Sequence, residues 1–214
     1  MSDAAEPKDR TQLYLITPPG IDLETFPDRL AAVLDAVEIS CLRLRLGSQD
    51  ADAVARAADA VRLIAHERDV PFVVEKHLAL AERLGLDGVH LEGTRNVRKA
   101  RETLGEEAIV GTFCGTSRHD GMTAGEAGAD YVSFGPVADD GLGGEVAELE
   151  LFSWWSDMIE LPVVAEGALI GRGDDPLAKL RELAPIADFL GLGEDLWAAG
   201  DPVALIRQID AILG

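Results

Sequence analysis

The stretch GADYVSFGP, residues 128–136, decides the fold that this sequence predicts. Its first glycine is typical of a helix end, the apolar run that follows is typical of a strand, and the Gly-Pro step begins a loop. A second stretch, LDGVHLEG at residues 86–93, shows the same order of signals after Gly85. The two stretches indicate a repeated helix–turn–strand module, and such repeats predict parallel strands joined by crossover helices.

The same alternation extends over the rest of the chain. Strands are predicted within residues 13–17, 41–46, 71–75, 88–91, 108–113, 128–136, 162–165 and 188–192. Helices are predicted at about 24–37, 48–69, 78–84, 94–104, 118–127, 149–158, 175–183 and from 201 onward. Four of these helices begin with residues that favour helix caps, namely Ser48, Thr94, Asp175 and Asp201.

This order of elements predicts a single (β/α)8 TIM barrel over residues 12–214, preceded by a flexible tail at residues 1–11. A closed barrel leaves no strand edge exposed, which favours it over an open sheet. An open doubly wound sheet is the structural alternative. It is disfavoured because the first turn, PPG at residues 18–20, lacks the G-x-G-x-x-G spacing of a dinucleotide-binding turn.

Composition narrows the function. The net charge is −20, from 19 basic and 39 acidic residues, which argues against nucleic acid and anionic membranes as partners because both require clustered Lys and Arg. The acidity indicates solubility or a high-salt habitat, with an acidic partner-binding surface as the alternative. Cys41 and Cys114 are isolated, which is typical of buried thiols in a reducing cytoplasm. Without a signal-peptide pattern or an apolar run of ~18 residues, a cytoplasmic protein is predicted.

Charged residues near strand ends are the candidates for a site, because the carboxyl ends of barrel strands form one surface. Arg43 and Arg45 lie on the same face of the second strand and either bind an anion or are neutralised by a carboxylate such as Glu75. Lys76 and Glu166 are expected in the same charge network. The other candidates are His90, at the end of the fourth strand, and the loop glycines Gly167 and Gly193, whose amides can approach an anion.

Two further groups of residues have a structural and a functional interpretation. Trp154 and Trp155 are interpreted as helix packing, and the alternative is an exposed pair that marks a contact in a homo-oligomer. His66 and His77 are interpreted as ordinary surface or helix-start residues, whereas His119 is a weaker site candidate at the start of the fifth helix.

These motifs resemble the thiamine phosphate synthase family, which includes the related thiazole tautomerases. The resemblance runs from about Leu13 to the C-terminus and is strongest at residues 128–136. It is also carried by YLIT at 14–17, LR at 44–45, DGVHL at 87–91, SRH at 117–119 and LPVVA at 161–165. It implies a barrel fold and a reaction that joins a pyrimidine diphosphate to a thiazole phosphate, with release of pyrophosphate and Mg²⁺ on the leaving group.

The resemblance also implies changes at the family's site. Of the family's Gln-x-Arg-x-Lys motif after the second strand only Arg45 is kept, with Arg43 in place of Gln and Gly47 in place of Lys. Lys76 and Arg95 stand where the family has two Mg²⁺-binding aspartates. Since Mg²⁺ prefers carboxylate oxygens, no metal ligand and no cofactor are predicted. A metal-free alternative is that the two cations hold the diphosphate directly.

The family's phosphate-binding Thr-x-Thr-Lys segment after the sixth strand corresponds here to DDGLGGE at 139–145, whose carboxylates repel phosphate. Three functions therefore stay open: the family's synthase reaction, a thiazole tautomerase-like variant, and a non-catalytic barrel that binds a ligand or a protein. A small phosphorylated molecule is the expected ligand in the first two. The predicted catalytic residues are Arg45, Arg43 and Lys76, and the predicted substrate-binding residues are Glu75, His90, Glu166, Gly167 and Gly193.

Overall fold

The computed structural model describes residues 10–48, 50–139 and 143–214, in which eight parallel strands close into a barrel in the order β1 to β8. The strands β1–β8 are Gln12–Ile16, Cys41–Leu44, Phe72–Glu75, Gly88–Glu92, Ile109–Phe113, Tyr131–Phe134, Val163–Glu166 and Phe189–Leu192. The helices α1–α9 are Phe26–Leu34, Ala51–His66, Leu78–Leu84, Val97–Leu104, Arg118–Glu126, Leu149–Met158, Ala178–Leu183, Glu194–Trp197 and Pro202–Leu213. The predicted (β/α)8 barrel is confirmed.

Three of the four predicted helix starts differ, and at Ser48 and Thr94 the reason is that the α-helix begins at a later residue. Asp50, not Ser48, caps α2, and its side chain accepts a hydrogen bond from the amide of Asp52 at 3.0 Å. Ser48 instead accepts from the amide of Asp50 at 3.1 Å and fixes the preceding turn. Thr94 begins a 3-10 turn, Thr94–Asn96, ahead of α4.

The two Asp-Pro signals, at Asp175 and Asp201, have different outcomes. Asp201 caps α9 as predicted, with its side chain accepting from the amide of Ala204 at 2.9 Å. Asp175 does not begin α7, which starts at Ala178. The carboxylate of Asp175 accepts from the guanidinium of Arg181 at 2.7 and 2.8 Å and from the backbone amide of Leu177, so it fixes the turn ahead of α7.

The short helix α8 was not predicted. It follows β8 directly, where the sequence analysis expected a loop. Its burial explains it: Leu196 is fully buried, and the indole N–H of Trp197 donates to the carbonyl of Ile16 at 2.7 Å. Four residues are too few for a helical period to be visible in the sequence.

Apolar side chains fill two separate regions. The larger lies between the barrel and its helices and contains Leu15, Leu42 and Phe72 among many others. The smaller lies inside the barrel and consists of Tyr14, Ile16, Cys41, Val73, Tyr131 and Val164. Gly111 makes room for this interior, because a Cβ there would lie 2.0 Å from the ring of Tyr131.

At the amino end of the barrel, three aspartates repeat one contact. Asp87, Asp130 and Asp188 each precede an even-numbered strand and accept a hydrogen bond from the amide of Phe72, Val110 and Val163, respectively, at 2.7 to 2.8 Å. Each carboxylate therefore satisfies a donor at the start of the neighbouring strand. This repetition is the structural counterpart of the module seen in the sequence.

The structure also bears on the predicted N-terminal tail, the tryptophan pair and the prediction that no segment spans a membrane. Residues 1–9 of the predicted tail lie outside the described residues, but Thr11 is buried and donates to the carbonyl of Ala187 at 2.9 Å. Trp155 is fully buried against Phe134, and Trp154 is partly buried under Arg118, so an exposed tryptophan pair is not present. Across the described residues, no helix has the length and apolar content that crossing a bilayer requires.

Candidate functional site at the carboxyl end of the barrel

Arg43 is the centre of the carboxyl end of the barrel. Its side chain points inward from β2 and is only 1% exposed. Nη1 lies 2.9 Å from Oε2 of Glu166 and 2.7 Å from Nε2 of His90, while Nε lies 3.5 Å from Oε2 of Glu75. We call these four residues, Arg43, Glu75, His90 and Glu166, the Arg43 cluster.

The arrangement of the barrel strands brings these four residues together. They come from β2, β3, β4 and β7, and Glu75 is paired in register with His90 on the neighbouring strand. Burial by itself opposes the charge of Arg43, but the carboxylate of Glu166 outweighs it, so the pKa of Arg43 lies above its ordinary value. The guanidinium therefore stays charged, and two carboxylates balance one buried cation.

Below Arg43, a hydrogen-bonded chain runs into the barrel. Burial, assisted by the charges of Arg43 and Lys76, lowers the pKa of His90 well below its ordinary value, so the ring is neutral. Because a guanidinium only donates, Nε2 of His90 accepts from Arg43 and its Nδ1–H donates to the hydroxyl of Tyr131 at 2.9 Å. The hydroxyls of Tyr131 and Tyr14 lie 2.6 Å apart, and burial raises the pKa of both.

Lys76 lies at the tip of β3, beside the Arg43 cluster. Its ammonium is 2.5 Å from Oε1 of Glu92 and 3.5 Å from Oε1 of Glu75, and the hydrogen bond to Glu92 is the main cause of its raised pKa. The backbone of Lys76 has φ of 67°, which is uncommon for a residue other than glycine. The strand-tip carboxylates are thus already bound by a lysine.

This arrangement does not fit the Mg²⁺ ion that the resemblance implies. A divalent cation requires several oxygen ligands without a competing positive charge, whereas Lys76 contacts both Glu75 and Glu92. Arg95 is exposed in the 3-10 turn after β4. Within residues 10–48, 50–139 and 143–214, no three His, Cys, Asp or Glu side chains form a group able to hold a metal.

Arg45 is one step further toward solvent on the same side as Arg43. The backbone amide of Arg45 donates to the hydroxyl of Thr17 at 3.0 Å, and that hydroxyl donates back to the carbonyl of Arg45 at 3.1 Å, so the backbone is fixed. Among the described residues, the guanidinium of Arg45 has no ion pair or hydrogen bond. An arginine held by its backbone but not by its side chain is available to a ligand.

Three buried polar atoms near this point lack a hydrogen bond of acceptable geometry: Nε of Arg43, Oε2 of Glu166 and Oγ of Ser133. The first two still have ion-pair partners, at 3.5 and 2.9 Å. Ser133 is fully buried and lies on β6 next to β7, the strand that carries Glu166. Unsatisfied buried polar groups are costly, which points to a water or a ligand group between them.

The loops after β7 and β8 bring Gly167 and Gly193 to the same end. Gly167 has φ of 80°, a backbone conformation that favours glycine, and Gly193 caps α8. Glu194 and Asp195 occupy the first turn of α8, and burial raises the pKa of Asp195. These carboxylates reduce the attraction of this loop for phosphate.

The acidic loop after β6 is described only in part. Glu145 accepts a hydrogen bond from the hydroxyl of Thr116 at 3.0 Å, which holds it near the loop after β5. Asp140, Gly141 and Leu142 lie outside the described residues.

Cys41 and Cys114 are both free and buried, and burial raises the pKa of each thiol to about 12.

Fold and site together define a (β/α)8 barrel with a polar cluster at the carboxyl end of its strands, the position at which barrel enzymes hold their ligands. The sequence profile of the family described as "Thiamine monophosphate synthase" matches residues 13–170. The chain therefore belongs to the thiamine phosphate synthase family.

Individual relatives match this chain over nearly its whole length. The chain is 38% identical to the thiamine-phosphate synthase of Rhodospirillum centenum over 94% of this chain and 97% of that protein. It is 40% identical to the thiamine-phosphate synthase of Erythrobacter litoralis over 94% and 95%, respectively. The structure of thiamine phosphate pyrophosphorylase from Pyrococcus furiosus superposes with a TM-score of 0.78 over 94% of this chain and 95% of that one, at 22% identity.

The structure brings together most of the residues that the sequence predicted for the site. Arg43, Glu75, His90 and Glu166 form one cluster, with Lys76 beside it and Arg45 on the next inward position. Tyr14, Tyr131 and Ser133 were missed. Their polar groups sit at alternate inward positions of β1 and β6, which is the signal that a search for inward polar residues would have used.

Proposed function

We propose that this protein binds a phosphorylated nitrogen heterocycle of thiamine synthesis at the carboxyl end of its barrel, without a divalent metal ion. Membership of the family supports the class of ligand. The observation that carries the proposal is the guanidinium of Arg45, which has no ion pair or hydrogen bond within the described part of the chain and stands next to a buried cluster with unsatisfied polar atoms. The first suits a phosphate, and the second suits the polar edge of a ring.

The chemistry of the Arg43 cluster supports the proposal that this cluster binds the nitrogen heterocycle of the ligand. Glu75 and Glu166 are carboxylates with side chains 13% and 12% exposed, so part of each side chain is accessible at the carboxyl end. A carboxylate accepts hydrogen bonds, and Nε–H of Arg43 donates one. A ring that carries an amino group beside a ring nitrogen offers a donor and an acceptor to match.

Arg45 is the residue that supports binding of the phosphate group of the ligand. Arginine binds phosphate through two parallel hydrogen bonds, and a guanidinium without a protein partner gives up no ion pair when it does so. Glu194 and Asp195 carry negative charge in the loop after β8. A monophosphate is therefore expected to bind more tightly than a diphosphate.

Isothermal titration calorimetry with thiamine monophosphate, in buffer containing EDTA, tests this proposal. Binding is expected in the wild type and about tenfold weaker or more in Arg45→Ala, which is ~1.4 kcal/mol. Arg207→Ala is the matched control, since Arg207 is an exposed arginine on α9. An affinity that is unchanged in Arg45→Ala, or an absence of binding to the wild type, would refute the proposal.

A second candidate is the coupling reaction itself. It is favoured by the relatives named thiamine-phosphate synthase that are 38% and 40% identical over 94% of the chain. It predicts that pyrophosphate is released when both phosphorylated precursors and Mg²⁺ are supplied. Release that is lost in Arg45→Ala would establish the enzyme, whereas binding of thiamine monophosphate without turnover would leave the binding function.

A further inference from the structure

The tips of β3 and β4 hold a cation that is part of the chain. Lys76 follows Glu75 directly, and its ammonium lies between Glu75 and Glu92, at 3.5 and 2.5 Å from their nearest carboxylate oxygens. The two carboxylates belong to neighbouring strands, so the lysine connects β3 to β4 at the rim of the barrel. Two oxygens from adjacent strand tips around one positive charge resemble half of a metal site.

The backbone is adapted to this placement. Lys76 has φ of 67°, although a side chain makes this conformation costly by about 1 kcal/mol or more. Its amide still donates to the carbonyl of His90 at 2.8 Å, so the pairing of β3 with β4 continues through the strained residue. The conformation allows Lys76 to turn back over the strand tips while the sheet stays paired. Glycine would avoid the strain but would supply no charge.

We propose that the ammonium of Lys76 is a built-in replacement for a divalent cation at the tips of β3 and β4. It neutralises Glu75 and Glu92, prevents a metal ion from binding there, and presents its remaining N–H bonds to an anionic ligand group. The first two roles are independent of the ligand. The third rests on the proposed function, because it requires that a phosphorylated molecule binds at this end.

The chemistry of an ammonium group allows it to take the place of Mg²⁺ between these carboxylates. An ammonium has three donors and a single charge, so it holds carboxylates and phosphate oxygens together without fixed coordination geometry. Mg²⁺ carries two charges but requires nearly octahedral geometry and gives up its water reluctantly. The lysine therefore supplies weaker neutralisation that is always present and does not depend on the metal concentration.

Metal titration tests the replacement directly. Mn²⁺ binding is measured by the relaxation enhancement of water protons for the wild type, Lys76→Ala, Glu92→Gln and the double variant Lys76→Ala/Glu92→Gln. Removal of the ammonium is expected to create a Mn²⁺ site about tenfold tighter than any in the wild type, and Glu92→Gln is expected to abolish it. Lys179→Ala is the matched control, because Lys179 also pairs with one carboxylate, Glu182, at 2.8 Å on the surface.

The outcomes separate this inference from the proposed function. A Mn²⁺ site that appears in Lys76→Ala but not in Lys179→Ala supports the replacement, whether or not thiamine monophosphate binds. A wild-type Mn²⁺ site that is lost in Glu92→Gln, or no gain in Lys76→Ala, overturns it. Circular dichroism of each variant checks that the barrel is folded, and Lys76→Met, which keeps the length of the side chain, provides the alternative if Lys76→Ala unfolds.

Discussion

At the amino end of the barrel, Asp87, Asp130 and Asp188 accept hydrogen bonds from backbone amides of neighbouring strands, whereas at the carboxyl end Glu75 and Glu166 face the side chain of Arg43. A backbone amide is a fixed part of the fold and cannot move away. A side-chain partner can shift or exchange when a ligand arrives. The same type of residue therefore stabilises one end and leaves the other available for binding.

The comparison also explains where unsatisfied polar atoms occur. Each of the three amino-end aspartates has a short hydrogen bond to the start of a strand, so that rim resembles a closed hydrogen-bond network. Among the described residues, Arg43 and Glu166 contribute atoms without a proper hydrogen bond at the other end. Ligand binding is thus expected only at the carboxyl end, although the buried Arg43 cluster contributes to stability there as well.

The largest expected effect comes from removing the buried cation. Arg43→Met should lower the free energy of unfolding by about 3–5 kcal/mol, because Glu166 loses its ion-pair partner in a nearly buried position and Glu75 keeps only Lys76. Urea denaturation followed by circular dichroism measures this. A loss below ~1 kcal/mol would mean that the carboxylates find water instead, and that the carboxyl end is more open than the structure indicates. Arg43→Lys, which keeps the charge, should lose less.

The amino end is expected to show a smaller, purely structural effect. Asp130→Ala removes the acceptor of the Val110 amide and a contact with Arg101 at 2.5 Å. The free energy of unfolding should fall by about 1–3 kcal/mol, because a partly buried donor is left unpaired. Asp157→Ala, an exposed change on α6, is the control. If Asp130→Ala also weakened ligand binding, the separation of the two ends would be contradicted.

The smallest expected effect is a change in pH dependence at His90. Its pKa is lowered by burial in the folded protein, whereas the unfolded chain takes up a proton near pH 6.5. Its neutral form therefore contributes stability above pH 6.5 that is lost as the pH falls, by at most about 1.4 kcal/mol per pH unit. The stability difference between wild type and His90→Gln should shrink from pH 7 to pH 5. A difference that stays constant from pH 7 to pH 5 would reject this role of His90.

Much of the fold could be predicted because the module of helix, glycine, aspartate and strand is local in sequence. Asp130 with Tyr131 and Asp87 with Gly88 both show it. Helix starts were less predictable: Ser48 and Asp50 are equally good caps by residue type, and only the position of the first turn decides between them. Residues 194–197 form a helix because of tertiary burial, which no local pattern reports.

The site could be predicted where the strand alternation was visible, as for Arg43 and Arg45 on β2. Glu75 was named in advance as a neutralising partner of Arg43, and the two lie 3.5 Å apart. The chain of Tyr14, Tyr131 and His90 was not predicted, because its members meet across the barrel interior from β1, β6 and β4. The inward position of each residue can be found from the alternation along its strand, but the sequence does not report which inward residues meet across the barrel.

The central claim, that ligand binding belongs to the carboxyl end of the barrel while the amino end is purely structural, is tested most directly by one crossed experiment. Arg45→Ala and Asp130→Ala are each measured for affinity toward thiamine monophosphate by calorimetry and for unfolding free energy by urea denaturation. We predict that Arg45→Ala weakens binding about tenfold while changing stability by less than ~0.5 kcal/mol, and that Asp130→Ala does the reverse. Two variants that lose affinity and stability in parallel would contradict the account.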